Sequence, residues 1–158
     1  DEVPMKKAKL LTVVMVCLVL LLPGQVWASP LGQAVISAPP IVISPMTVFD
    51  PSFKYLDSGS GHLSNMGNGK VDIWGETFAT HDVDSVKVQI TLQRWTGSSW
   101  VDVYSGPLVI YYYDNYAYDS TYVTVPTGYY YRVKSYHEVT YGTTVEFGTR
   151  YSGYLLVN

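Results

Sequence analysis

The chain has 158 residues, a formal net charge of −3, fifteen tyrosines and one cysteine. Mild acidity without a basic cluster argues against nucleic acid as a partner, because phosphate binding needs concentrated positive charge. A single cysteine excludes an internal disulfide framework, so any fold must be held by packing.

In chain order, Met5 reads as the initiator. Lys6, Lys7 and Lys9 form a basic start, Leu10 to Leu22 is an apolar run, and Val26-Trp27-Ala28 offers small or β-branched residues where a signal peptidase cuts. This order predicts a removable secretory signal over 5–28. The alternative is a membrane anchor, but a run of 13 residues, broken only by Thr12, falls short of the roughly 20 that a spanning helix needs. Cleavage therefore predicts an extracellular protein with no stable anchor. Cys17 would leave with the signal, and beyond residue 28 seven Lys and Arg stand against eleven Asp and Glu.

Residues 29–52 contain Pro30, Pro39, Pro40, Pro45 and Pro51. Proline fixes φ and removes a donor, so this stretch predicts a flexible, extended tail. The Gly- and Ser-rich run that continues to Gly69 reads as irregular too. A single domain over 53–158 follows. Val86, Val88, Ile90 and Leu92 alternate with Lys87, Gln89, Thr91 and Gln93, a period of two that predicts a half-buried strand. Thr96 to Ser99 is a turn, and Trp100 to Tyr104 the next strand. Asp114-Asn115 predicts a two-residue turn between strands 108–113 and 116–125. Residues 129–139 and 144–157 supply two more. No stretch of the domain has a helical period. The fold class that follows is all-β, an antiparallel two-sheet sandwich. Its core would take Val101, Val103, Val123, Val125 and Val133 with the alternating set.

Two segments carry a resemblance. Leu92-Gln93-Arg94-Trp95-Thr96-Gly97-Ser98-Ser99-Trp100-Val101-Asp102-Val103, with Gly128-Tyr129-Tyr130-Tyr131-Arg132-Val133 further on, resembles a family of small secreted proteins of Gram-positive bacteria, a domain of unknown function. The resemblance spans roughly 70–157 and implies secretion and a compact β domain; it brings no catalytic residues. Pro126 to Val133 is also similar to the corner of immunoglobulin-like and fibronectin type III folds, where a tyrosine hydroxyl bonds back to the chain. The immunoglobulin-like likeness stops short of antibody domains, since no cysteine pair exists.

Two constellations could carry function. Strand parity aims Trp95 and Trp100 outward and across from each other, with Gln93 and Asp102 as the next pair. One reading is a stacking platform for a sugar ring, with an amide and a carboxylate for its hydroxyls. The other is a cross-strand pair that stabilises the hairpin by about 0.2–1 kcal/mol. In the second constellation, a turn at Asp114-Asn115 would set Tyr113 opposite Tyr116 and Tyr111 opposite Tyr118. Four phenols on one exposed face could drive self-association, unless the tail covers them.

Catalysis has little support. His62, His81 and His137 lack metal-ligand spacing, and Asp82 and Asp84 supply too few oxygens for calcium. Glu76, Glu138 and Glu146 could pair as glycosidase carboxylates only if the fold brought them together. No nucleophile elbow or phosphate loop appears. The expectation is a non-catalytic module without cofactor or metal, binding a cell-wall or other extracellular polysaccharide. The alternative is a self-associating matrix protein.

Overall fold

The structure, a computed structural model, describes residues 36–40 and 49–158. The expected signal over 5–28 lies outside the described residues. The chain from Ile36 onward forms one compact unit.

Among the described residues this unit has seven strands: β1 (Leu56–Gly67), β2 (Lys70–Trp95), β3 (Trp100–Ser105), β4 (Val109–Thr124), β5 (Tyr129–Tyr141), β6 (Thr144–Tyr151) and β7 (Leu155–Val157). All pairings are antiparallel within one sheet. The organiser is β2, 26 residues long. Its first half pairs β1, its second half pairs β5, and β4 followed by β3 runs along its opposite edge. Near the middle, residues 79–82 of β2 stand against Asn115 alone. Such an excess on one strand bends it and increases the local twist. The sheet therefore curls into a half-barrel, and the two expected sheets are the halves of one sheet through which β2 and β4 both pass.

The curl brings the halves of β2 face to face. Val71 and Ile73 pack with Ile90, Leu92, Tyr131 and Val133 in one buried cluster. Phe49, Leu56, Val83, Val86, Val88, Ala117 and Val139 form a second. Between them, Thr77, Ser135 and His137 make a buried polar layer. β1 lies over this layer so closely that a Cβ on Gly59 would stand 2.5 Å from His137 Nδ1.

Three expectations are corrected here. The Gly- and Ser-rich stretch taken as irregular is β1, because only small residues let its backbone rest on β5. Asp114-Asn115 is not a hairpin turn: both flanks pair with β2, and β4 turns the same corner as its partner. Val103 is exposed rather than in the core. The β2–β3 register shifts between Leu92 and Gln93, leaving Val103 as the extra residue, and Tyr104 packs inward in its place.

Candidate functional site

The β2–β3 register sets Trp95 opposite Trp100 and Gln93 opposite Asp102. The two indoles lie 5.4 Å apart at 54°. This face is already occupied. Trp95 is buried, and its Nε1–H donates to the Ser37 carbonyl at 2.9 Å. Gln93 Nε2 donates to Asp102 Oδ1 at 2.7 Å, while its own oxygen accepts from Arg132 Nε at 2.8 Å. Lys134 Nζ donates to the other Asp102 oxygen at 2.7 Å. Lys134, and then Gln93, hold the Asp102 carboxyl below its usual pKa. The Arg132 guanidinium lies over the rings of Trp100 and Tyr151 at 4.3 and 4.2 Å. Gln93 is thus buried and bonded on both its amide atoms, while Asp102 is exposed with each oxygen already accepting one bond.

The four tyrosines of β4 do not share one face. Tyr111 is in register with core Val86, whereas Tyr116 and Tyr118 are in register with outward Phe78 and Glu76. Tyr113 stands at the corner with φ 56° and is 82% exposed. The Tyr111 hydroxyl still reaches the Tyr118 carbonyl at 3.3 Å across the bend.

A broader surface emerges from the outward positions of β1, β2 and β4. The pairing sets Ser58, Phe78 and Tyr116 in one row, then Ser60, Glu76 and Tyr118, then His62, Trp74 and Ser120, then Ser64, Asp72 and Tyr122. His62 stacks on Trp74 at 4.9 Å and 12°, and Tyr116 lies parallel to Tyr118 at 6.5 Å. Phe78, Tyr118 and Tyr122 are exposed, and Trp74 half so. Glu76 ties the rows together, accepting from Ser60 Oγ at 3.2 Å and the Tyr116 hydroxyl at 3.3 Å. Burial, and then the Glu76 charge, push the Tyr116 phenol above its usual pKa. Beside the His62–Trp74 row is a cleft of about 270 Å³, walled also by Gly61, Leu63 and residues 152–155.

Ser60, His62 and Glu76 have the residue types of a catalytic triad but not its order. Ser60 Oγ lies 2.8 Å from His62 Nε2 and 3.2 Å from a Glu76 oxygen. The same Nε2 faces Glu76 at 3.6 Å, so serine and carboxylate share one ring nitrogen. A triad sets its carboxylate on the other nitrogen, where it orients the base. Of the other carboxylates weighed for catalysis, Glu146 accepts the backbone N–H groups of Lys54, Tyr55 and Leu56 at 2.8, 2.8 and 2.7 Å, clamping the lead-in to β1. Burial alone would raise its pKa, but these three donors bring it below the usual value.

Sequence reasoning passed over Trp74, Tyr122 and the outward role of Glu76. The period-two alternation of residues 71–77 carries the signal, and the row across it appears only once β1 is known to be a strand. No protein-family model and no curated protein matches the chain. Among solved structures, the crystal structure of a protein from Archaeoglobus fulgidus aligns with 65% of this chain and 98% of its own, at 13% identity and a TM-score of 0.35. That likeness is too distant to carry a function.

Proposed function

We propose that this is an exported, non-catalytic module that binds an extracellular carbohydrate polymer at the cell envelope through the outward face of β1, β2 and β4. One observation carries the reading: exposed and half-exposed rings alternate there, row by row, with carboxylates and hydroxyls. The C–H-lined face of a sugar ring suits the negative face of an aromatic ring. Sugar hydroxyls suit carboxylate and serine oxygens. At about 3.4 Å per residue, Asp72 to Phe78 span roughly 20 Å, the length of several sugar units. Export rests on the basic–apolar–small order of residues 5–28. The immunoglobulin-like reading rests on the corner at Pro126, whose carbonyl accepts the Tyr131 hydroxyl at 2.8 Å.

The test is co-sedimentation with insoluble cell-wall material, comparing the wild type with Trp74→Ala/Tyr118→Ala. The wild type should pellet, and the double variant, with its strand circular dichroism intact, should stay in solution. A folded double variant that pellets like the wild type would overturn the proposal.

Self-association remains a second reading because of the β4 edge. Among the described residues β4 pairs only β2, and Ile110, Tyr112 and Tyr113 are exposed beside its other edge. An unpaired edge is a template for another chain.

A further inference from the structure

Residues 36–40 do not form a strand, yet they are seated on the Trp95 side of the sheet. Two ring donors hold them. Trp95 Nε1–H donates to the Ser37 carbonyl at 2.9 Å, and the Tyr154 hydroxyl donates to the Pro39 carbonyl at 3.0 Å. The carbonyls belong to alternate residues, which suits an extended peptide. Pro39 is buried, whereas Ser37, Ala38 and Pro40 are exposed. One residue is therefore enclosed while its neighbours stay in water.

The walls also brace one another. Trp100 lies 5.4 Å from Trp95 and 6.2 Å from Tyr154, and Tyr130 meets Tyr154 edge-on at 5.7 Å. Arg132 packs over Trp100 from the sheet. Aromatic walls that offer N–H and O–H donors to peptide carbonyls suit a partner whose own backbone lacks donors, and two successive prolines provide that. The same physics underlies recognition of polyproline II segments: a stiff peptide loses little entropy on docking.

We propose that the groove of Trp95, Trp100 and Tyr154 is a binding site for an extended, proline-bearing peptide, which the chain's own Ser37–Pro40 segment fills in cis. The site is separate from the carbohydrate face and does not depend on it. Eight residues join Pro40 to Phe49, itself in the core. A tether this short gives the segment a high effective concentration, so a free peptide competes poorly while it is present.

The experiment uses the full chain and the indole N–H resonance of Trp95, assigned with Trp95→Phe. Pro39→Gly/Pro40→Gly lies outside the strands, so it should empty the groove and shift this resonance without altering the sheet. A blocked synthetic peptide, Ile-Ser-Ala-Pro-Pro, should then restore the wild-type position saturably. It should act at concentrations at least ten-fold lower than any that perturb the wild type. Adding Tyr154→Phe should weaken this rescue roughly three- to ten-fold, the worth of one hydrogen bond. A peptide with alanine at both proline positions should fail to rescue. The proposal is overturned if the double glycine variant keeps the wild-type resonance, or if the alanine peptide rescues equally well. Pelleting with wall polymer plays no part in this readout, so either proposal can fail alone.

Discussion

His137 is fully buried on β5, and its hydrogen bonds fix which nitrogen carries the proton. Thr77 Oγ1 gives its hydrogen to the Lys87 carbonyl at 2.9 Å, so at 2.7 Å it accepts from His137 Nδ1–H. Nε2 then accepts from the Ser135 hydroxyl at 2.8 Å. The neutral ring satisfies every partner. Burial, and then the charge of Arg150, lower the His137 pKa from 6.5 to about 3. Between those values the unfolded chain binds a proton that the folded chain refuses. The contribution to stability is therefore complete above pH 6.5 and is lost as pH falls towards 3, at a slope approaching 1.4 kcal/mol per pH unit. Glu146, whose folded pKa is also depressed, adds loss in the same direction, but only below its unfolded value, 4.5. Urea unfolding between pH 6 and pH 5 isolates the histidine. The wild type should lose roughly 1 kcal/mol over that step, and His137→Gln, itself less stable at pH 7, should lose clearly less. Equal slopes for the two would show that His137 is not the titrating group. These bonds were not legible in the sequence, where His137 stands 60 residues from Thr77.

The β2 strand shows which parts of an element can be read locally. Its second half alternates cleanly, and Val86, Val88, Ile90 and Leu92 are all buried. Its unity with residues 70–78 was hidden, because the His81-Asp-Val-Asp84 stretch has the composition of a turn. In fact it is the corner, and Asp84 Oδ2 accepts the Gly142 N–H at 2.6 Å there. The Asp114-Asn115 pair misled for the same reason, since the residues that suit a hairpin turn also suit a strand that must bend. The curl has a cost at Gly75, where the two halves of β2 touch. A Cβ there would stand 2.6 Å from Ile90 Cγ2 and 3.2 Å from Val88 Cγ2. Both neighbours are β-branched and fully buried, so neither can swing aside. Gly75→Ala should destabilise the protein by about 1–3 kcal/mol through overpacking. Pairing it with Ile90→Val, which removes the δ-methyl but keeps the Cγ2 at the contact, should recover little. Thermal unfolding measures both, and a variant within experimental error of wild type would mean that the halves of β2 can separate freely.

At the scale of the whole molecule, the sequence pointed to aromatic faces but misassigned which one is open. Parity aimed Trp95 outward correctly, yet it could not show that residues 36–40 return to cover it, since no local pattern encodes contact between residues 58 positions apart. Conversely, the open face needed three strands in register before Trp74, Tyr118 and Tyr122 became neighbours. The fold leaves one liability, the long outer edge of β4. Its own corner limits the danger, because the excess of β2 at 79–82 and the positive φ of Tyr113 break the edge into two unequal, differently directed lengths. Bulged and twisted edges pair poorly with a second chain, and the excess of acidic residues adds repulsion. The chain should therefore sediment at the mass of a single copy from micromolar to near-millimolar concentration, and Ile110→Lys should change neither that mass nor wall-polymer binding. A mass that climbs with concentration and returns to that of one copy in Ile110→Lys would transfer the function from the carbohydrate face to the part of β4 that carries the exposed Ile110.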